Sequence, residues 1–511
     1  MRFSSLILLP LVTALPAKQQ SSSIPELSVN QWNNIQSGFT DGLRSLSSWS
    51  WSKAEDVIDE LEAISGIATD NKDDDDKSSL TIWQALKADP HSFSKLVKII
   101  EFEGKAIDYL DDKDLQITFF APNNDALTPP HHHDDDDDHD HDESLVELLH
   151  NPSLITLSNA LESEPSLLAA DEDDHHHHHH HDGDDDPEKR KRRKEIFRKI
   201  AGKVLQYHGL TKAYTAQELA QNSTIATALK AEDGSYGGLH RRIRIDKHFV
   251  PPSLKINFYA KVLVSDIKAR NGYFHTLNHP LIPPGSIIEE LFLFPDVFST
   301  LTSSVQKLHG RRYLDWSYDK EHSEPGKPQF HGKPLLTLFA PTNIAFAAIP
   351  PKLKFYLFSP FGEHALTKLL AYHYIPNTLL LSELLYTQKE KKSQIDSFVD
   401  TLGDYEYFKL GDDPSFHKEI EISPALPNST LKIEIDKTKF LPVEGAVKTT
   451  IKVNGQEVKV IDVPARNGAT HVIDHLLIPP HHHHDHHGKD VAHLDSWENW
   501  EEWFPTWVEQ A

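Results

Sequence analysis

The 511-residue sequence contains no cysteine. This absence excludes disulfide bonds, thiol nucleophiles and zinc sites built on thiolates, so histidine and carboxylate groups remain as candidate metal ligands. Domains of about 200 residues bury enough surface to fold without disulfides, and the absence is therefore compatible with an oxidising compartment. A chain of this length predicts two or three domains.

The sequence also lacks long apolar runs and an excess of positive charge. No stretch after the N-terminus reaches the roughly 18 apolar residues of a membrane-spanning helix, so we expect a soluble mature protein. The formal charge is −25 at pH 7 with neutral histidines. Because this charge repels phosphate groups, we expect no nucleic-acid partner.

Common catalytic signatures are missing from the sequence. It contains no GxSxG elbow, no HExxH helix and no glycine-rich phosphate loop. These motifs position a nucleophile, a metal ion or a phosphate group. We therefore expect no enzymatic activity and no cofactor.

The N-terminal residues predict entry into the secretory pathway. Residues 1–17 read MRFSSLILLPLVTALPA, in which Arg2 precedes an apolar stretch and small residues suited to cleavage. That order is typical of a signal peptide, here residues 1–14. Two sequons, at Asn222 and Asn428, predict glycosylation in that compartment.

Four sequence blocks occur twice, in the same order. The pairs are TIWQALKADPHSFSKL (81–96) with SIIEELFLFPDVFSTL (286–301), TFFAPNNDAL (118–127) with TLFAPTNIAF (337–346), KVLQYHGL (203–210) with KLLAYHYI (368–375), and NGYFHTLNHPLIPP (271–284) with NGATHVIDHLLIPP (467–480). Repetition over this length indicates two copies of one globular domain rather than a solenoid of short units.

Local patterns predict an α+β fold. Apolar residues at helical spacing predict helices over 82–97 and 353–370. The runs LQITFFAP, LKINFYAKVLVSDI and KTTIKVNGQEVKVIDVPA predict strands, and Asn454-Gly455 in the last run predicts a hairpin turn. Helices followed by strands form an α+β pattern.

The repeated blocks resemble those of the fasciclin domain. TLFAPTNIAF is similar to the first box of that family, Tyr372-His373 to its central Tyr-His pair, and NGATHVIDHLLIPP to its final box. The resemblance covers residues 78–284 and 285–480. It implies two tandem fasciclin-like domains, each with helices packed on a β-wedge, and disordered His/Asp-rich insertions.

The resemblance also implies which residues form the family motif, with the Tyr-His pair in a structural role. The motif residues are Thr118, Pro122, Asn124, Tyr207, His208, Asn271 and Gly272 in the first copy, and Thr337, Pro341, Asn343, Tyr372, His373, Asn467, Gly468, His471 and Asp474 in the second. The second copy matches the family more closely. The first has Asn278 in place of Asp474 and Pro280 in place of Leu476.

Two histidine- and aspartate-rich runs split the first copy. They read HHHDDDDDHDHDES from residue 131 and HHHHHHHDGDDD from residue 175. Thr118 and His208 lie 90 positions apart, whereas Thr337 and His373 lie 36 apart. Both runs therefore belong to an insertion, at about 128–194, whose charge predicts disorder.

The runs predict loose metal binding rather than a catalytic site, because a homopolymer does not fix ligands in space. The weak, non-specific divalent-metal ligands are His131, His132, His133, His175, His176 and His177. An engineered tag is disfavoured because the runs are internal. Protonation of all 34 histidines would change the formal charge from −25 to +9. We therefore hypothesise that these loops respond to lumenal pH or metal.

Three further segments leave alternatives open. KRKRRK at 189–194 is a processing site or, as we favour, the start of a helix that continues to Leu205. Residues 15–77 contain amphipathic stretches that pack on the first domain or form a pro-region. In the His- and Trp-rich tail, 481–511, helical spacing is interrupted by Pro505.

The tail tryptophans predict either docking to a protein partner or neutral membrane interface, or packing on the second domain. They are Trp497, Trp500, Trp503 and Trp507.

These features together predict a non-enzymatic protein of the secretory pathway that mediates adhesion or protein contacts at membranes or surfaces. Its layout resembles that of fungal fasciclin-domain proteins, which implies the vacuole as destination and the cell surface as the alternative. The rival functions are a metal- or proton-buffering lumenal protein and a metal-dependent hydrolase.

Overall fold

The computed structural model describes most of both copies and part of the tail. The described residues are 79–127, 187–249, 252–319, 321–323, 329–388, 403–439, 447–478, 481–484, 490–493 and 497–510. The predicted signal peptide, residues 15–77 and both His/Asp runs lie outside them. The six histidines of the predicted metal site therefore also lie outside the described residues.

The first copy begins with helices and ends with strands. Its helices are α1 (Ile82–Lys87), α2 (Pro90–Glu103), α3 (Ala106–Leu110), α4 (Pro187–His208) and α5 (Ala216–Leu219). Its strands are β1 (Ile117–Pro122), β2 (Gly209–Leu210), β3 (Thr224–Lys230), β4 (His240–Phe249), β5 (Pro252–Ile256), β6 (Ala260–Ala269) and β7 (Gly272–Leu277), which close into a barrel in that order.

The second copy also begins with helices and ends with strands, but its described strands form several separate sheets instead of one closed barrel. Its helices are α6 (Ile287–Phe292), α7 (Pro295–Lys307), α8 (Arg311–Leu314), α9 (Asn343–Ala347), α10 (Pro351–Phe358) and α11 (Glu363–Tyr372). Its strands are β8 (Trp316–Tyr318), β9 (Phe330–Gly332), β10 (Leu336–Pro341), β11 (Tyr374–Pro376), β12 (Thr378–Leu381), β13 (Leu384–Thr387), β14 (Asp404–Tyr407), β15 (Ser415–Ile422), β16 (Leu431–Lys439), β17 (Val447–Val453), β18 (Gln456–Glu457), β19 (Val460–Ala465) and β20 (Gly468–Ile473).

The tail adds strands β21 (His481–His484) and β22 (Asp490–His493) and helix α12 (Trp500–Gln510). Short 3-10 helices occur at Asp125–Leu127, Tyr236–Gly238 and Pro360–Gly362. The predicted α+β fold is confirmed. The favoured helical interpretation of KRKRRK is also confirmed, because α4 begins at Pro187 and contains that run.

Capping residues mark the starts of α1 and α2, and they show that the helix predicted over 82–97 is interrupted. Thr81 and Gln84 form a capping box at the start of α1. Asp89 accepts a hydrogen bond from the N–H of Ser92 at the start of α2, and Pro90 occupies the first helical position. The single helix predicted over 82–97 is therefore two helices, because a residue preceding proline is disfavoured in helical conformation.

A parallel strand pair brings the first and final boxes together in each copy. β1 pairs with β7 from Ile117 opposite Gly272 onward. β10 pairs with β20 in the same way, from Leu336 opposite Gly468. The repeated sequence blocks are therefore hydrogen-bonded neighbours, although 153 positions separate Thr118 from Asn271, the first residue of NGYFHTL.

Candidate functional site

The Tyr-His pair lies at the end of α4 in the first copy and of α11 in the second. His208 donates from Nδ1 to the carbonyl of Val204 (2.8 Å), and its Nε2 accepts from the N–H of Leu281 (2.8 Å). Because a carbonyl can only accept and a backbone N–H can only donate, the ring is neutral with its proton on Nδ1. It joins the end of α4 to the final box.

His373 repeats this arrangement. It donates to the carbonyl of Leu369 (2.8 Å) and accepts from the N–H of Leu477 (2.9 Å). Burial lowers the pKa of both His208 and His373 to about 4, although the hydrogen bond to a backbone carbonyl opposes this effect. Neither ring is charged at neutral pH.

The tyrosine of each pair is held by an asparagine: Asn257, which the sequence patterns did not indicate, and Asn454, which they indicated only as part of a hairpin turn. Tyr207 donates to the carbonyl of Arg242 (3.0 Å) and accepts from the amide of Asn257 (2.9 Å). In the second copy, the amide of Asn454 donates to Tyr372 (3.0 Å). The Asn454-Gly455 turn that predicted a hairpin was the signal for this contact, and both of its residues have positive φ.

A second histidine in each final box has the opposite tautomer. His471 accepts at Nδ1 from the N–H of Asp462 (3.2 Å) and donates from Nε2 to the carbonyl of Leu380 (3.0 Å). His275 makes the equivalent contacts with Asp266 and Tyr214. Burial lowers the pKa of His471 to about 4 and also lowers the pKa of His275.

The threonine and the asparagine of the first box, Thr337 and Asn343 in the second copy, form hydrogen bonds to the backbone of other segments. Thr337 donates to the carbonyl of Thr378 and accepts from the N–H of Leu380. Asn343 donates to the carbonyl of Asp296 (2.9 Å) and accepts from the N–H of Thr300 (2.8 Å) at the start of α7.

Thr118 and Asn124 make the same contacts in the first copy, with Lys212 and Tyr214 and with His91 and Lys95. Pro122 and Pro341 end the two central strands, β1 and β10.

The Asn-Gly dipeptide anchors the first helix of each copy to the last strand. Asn467 accepts from the N–H of Ile287 (2.9 Å), and its amide donates to the carbonyls of Leu314 and Lys333. Asn271 accepts from Ile82 in the same manner. A Cβ at Gly468 would overlap the carbonyl oxygen of Leu336, and a Cβ at Gly272 that of Ile117.

Asp474 marks a difference between the copies. It forms an ion pair with Lys459 (3.4 Å), and its Oδ1 accepts a hydrogen bond from Nδ1 of His475 (3.1 Å). Asn278, at the equivalent place, instead accepts a hydrogen bond from the N–H of Lys261 (2.6 Å).

The motif residues thus bond inside their own domains. Most of their hydrogen bonds are to backbone atoms, and in the described ranges no three histidine, aspartate or glutamate side chains are grouped to hold a metal ion. The chemistry available to this network is structural: it ties helices, strands and turns together around β1–β7 and β10–β20.

The two sequons differ in accessibility. Asn428 lies exposed in a turn with positive φ. Asn222 is half-buried, and its amide donates to the carbonyl of Glu218 (3.0 Å). Its neighbours Ser223 and Thr224 are buried. Glycosylation at either site stays a prediction.

The interface between the two copies contains buried charges that the sequence analysis missed. Arg241 forms an ion pair with Asp233 (3.2 Å) and also donates to the carbonyl of Arg466, in the second copy. Arg466 lies 3.7 Å from Asp233. Glu383 of the second copy accepts from the N–H of Ser223 (2.6 Å) in the first.

Phe258 anchors the same interface. It has a φ of +71° and is 7% exposed, and its ring belongs to the apolar core formed by α6, α7 and α10 of the second copy. The equivalent residue in the second copy is Gly455, which has open space around it. A phenylalanine in this left-handed conformation is strained, which indicates that its contact across the interface over-determines its backbone.

The tail helix packs on the second copy. Phe504 is 1% exposed in that copy's core, and all four tail tryptophans pack against the same core while remaining half-exposed. α12 also continues through Pro505, so the predicted interruption is wrong. The side-chain packing of Phe504 offsets the lost backbone hydrogen bond. Docking of a partner through the tryptophans stays a prediction.

The family model for the fasciclin domain matches residues 186–283 and 327–479. The chain is a tandem fasciclin-domain protein. Both matched ranges fall within the predicted domains 78–284 and 285–480, whose limits stay predictions. Fasciclin-domain proteins are generally non-enzymatic, often adhesion-related, and typically secreted or at the cell surface.

Two curated proteins and one solved structure are similar to this fasciclin-domain chain. Aurofusarin biosynthesis cluster protein S of Gibberella zeae is 26% identical over 243 residues, which is 47% of this chain and 54% of that protein. Protein sll1483 of Synechocystis sp. is 27% identical over 144 residues, 28% of this chain and 55% of that protein. The chain thus spans about half the length of these curated relatives.

The solved structure is a FAS1 domain pair from the insect cell adhesion molecule Fasciclin I. It is 15% identical, with a TM-score of 0.26, and the match covers 75% of this chain and 96% of that one. In the parts of the fasciclin-domain chain that the structure describes, no helix is both long and apolar enough to cross a bilayer.

Proposed function

We propose that this protein is a non-enzymatic contact protein of the secretory pathway, which mediates adhesion or protein contacts at membranes or surfaces. The vacuole is its destination in this proposal, and the cell surface is the alternative. The observation that carries it is the inward bonding of the motif: His208, His373 and His471 each use both ring nitrogens on the backbone. Function is then left to the outer surface of the domain pair.

The interface between the domains supports a role as a spacer of fixed geometry. The Arg241–Asp233 pair is buried, and Phe258 reaches from the first domain into the second. A pair joined in this way presents its surfaces in one relative orientation, which suits a protein that bridges two partners.

Fractionation of the native host tests the proposal. An antibody against the second domain is required, because anti-histidine reagents would recognise the natural histidine runs. We expect the full-length protein in vacuolar or cell-surface fractions, protected from protease added to the cytosolic side of intact membranes. Recovery of the protein in the cytosol would contradict the proposal.

Composition supports the buffering protein as a second candidate, because the chain contains 34 histidines. Deletion of residues 131–186 separates the two functions. A contact protein keeps its attachment to host surfaces after this deletion, whereas a buffer loses its capacity for zinc and protons.

A further inference from the structure

Two phenylalanines of the second domain stand almost entirely in solvent. Phe355 in α10 is 81% exposed and Phe361, in the following 3-10 helix, is 86% exposed. Among the large apolar side chains of the described ranges, the next is Tyr407 at 60%. Isolated exposed apolar residues are common, but two phenylalanines within seven positions form an unusual surface.

The local fold holds these rings outward. Leu353 and Leu357 occupy the core-facing positions of α10 and are fully buried, which leaves Phe355 on the opposite side. Gly362 packs so closely on Tyr356 that a Cβ would overlap its carbonyl oxygen. This turn fixes the backbone of Phe361 against the end of α10, so exposure of both rings is built into the fold.

The tail helix lies beside the same surface. Lys352 forms an ion pair with Glu501 of α12 (3.2 Å), and Lys368 donates to the carbonyl of Val508. Phe355 follows Lys352 by three positions and therefore lies on the same side of α10. The half-exposed tryptophans of α12 extend the aromatic surface.

The charge of this surface is close to neutral. Helices α10, α11 and α12, with the 3-10 helix between them, contain three lysines and four glutamates, in a chain whose total formal charge is −25. A bilayer of zwitterionic lipids therefore does not repel it. Aromatic rings and lysines with long apolar stems are the side chains that favour the boundary between headgroups and acyl chains.

We propose that Phe355 and Phe361 form a lipid-binding face that seats the second domain on a neutral bilayer. A fluid bilayer can surround single protruding rings, whereas the central side chains of protein interfaces fill pockets and are enclosed by a rim of contacts. The proposal rests on the proposed contact function, in which the protein bridges two partners, and it identifies a membrane as one of them.

Vesicle flotation tests this proposal with the full-length protein and vesicles of pure phosphatidylcholine. We expect the wild type to float with the vesicles. The double variant Phe355→Ser/Phe361→Ser is expected to bind them at least tenfold more weakly, because the loss of even one of the two inserted rings has about that effect. The matched control is Tyr405→Ser/Tyr407→Ser, at two exposed tyrosines of β14, which is expected to bind like the wild type.

Three outcomes would overturn the proposal. They are a wild type that stays unbound, a double variant that floats like the wild type, and binding that requires anionic lipid. Quenching of tryptophan fluorescence by brominated phosphatidylcholine, expected for the wild type, checks that the tail tryptophans beside Phe355 and Phe361 reach the acyl chains. If the protein does not bind lipid vesicles but still attaches to host surfaces, the lipid-binding proposal is wrong while the proposed contact function stands.

Discussion

At the scale of single residues, the buried motif histidines His208, His373 and His471 stabilise the fold only in their neutral form. Their pKa values near 4 mean that the unfolded chain binds protons below about pH 6.5 that the folded chain does not. Each of these rings therefore lowers the stability of the fold as pH falls from about 6.5 to 4, and has no further effect below that range.

Asp462 acts in the opposite direction. Burial, with Glu383 nearby, raises its pKa to about 7. Its carboxylate accepts from the N–H and hydroxyl of Ser382, and Arg244 lies close enough to oppose the shift. Between about pH 4 and 7 the folded state holds a proton here that the unfolded state does not, so this group favours folding more strongly at acidic pH.

Asp462→Asn should remove this contribution. The amide keeps an acceptor for Ser382, and asparagine tolerates the left-handed backbone at this position, where φ is +59°. Relative to the wild type, the variant should become more stable as pH rises from 4 to 7, because only the wild type loses the stabilising proton on its folded state over that range. Urea unfolding at pH 5 and pH 7 measures the difference. Parallel results for the two proteins would show that Asp462 is already charged at pH 5.

The control is Asp266→Asn. Asp266 has nearly the same backbone conformation, with φ of +60°, at the equivalent but exposed position of the first domain. This control measures how an Asp→Asn change in this backbone conformation affects the unfolding free energy when the carboxylate is not buried.

Gly468→Ala tests the contact between the first and final boxes. Because the new Cβ would overlap the backbone of β10, we expect a loss of about 3 kcal/mol or more in unfolding free energy. Gly455→Ala, which has positive φ but open space around it, should cost about 1 kcal/mol. Urea unfolding compares the two, and equal losses would mean that close packing at Gly468 is not decisive.

At the scale of elements, capping and tertiary packing determine where two helices break or continue, which the local sequence does not predict. The repeat predicted the strands and the helices, since apolar spacing and doubled boxes are local signals. It did not predict the break before Pro90 or the continuation of α12 through Pro505. The break before Pro90 depends on capping by Asp89, and the continuation of α12 depends on the burial of Phe504. No local sequence pattern shows that Phe504 is buried whereas Phe361 is exposed.

Phe504→Ala tests the packing of α12. Removal of a fully buried phenylalanine should cost about 3–5 kcal/mol of unfolding free energy. Phe361→Ala is the matched control and should change it by less than about 0.5 kcal/mol, because that ring is in solvent. Thermal or urea unfolding gives both values. A small effect of both variants would show that the tail does not form part of the folded domain.

At the scale of the whole molecule, the two domains form one unit. The residues that join them are far apart in sequence: Arg241 and Arg466 are separated by 225 positions. No repeat or periodicity in the sequence signals such a contact. The sequence therefore predicted two domains and their motifs but not the interface between them.

Loss of the interface should uncouple the domains. The double variant Arg241→Ala/Phe258→Ala removes the buried ion pair and the ring that enters the second core. In scanning calorimetry we expect one cooperative transition for the wild type and two for the variant. Phe355→Ala, which changes a solvent-exposed ring, should keep the single transition. Two separate transitions in the wild type would contradict a coupled pair.

The most direct test of the contact function is attachment of beads coated with the full-length protein to vacuolar membranes and cell walls of the native host. We predict attachment several-fold above that of beads coated with an inert protein of similar charge. We also predict that deletion of residues 131–186 leaves it unchanged. Attachment of wild-type beads no better than that of the inert coating would contradict the proposed function.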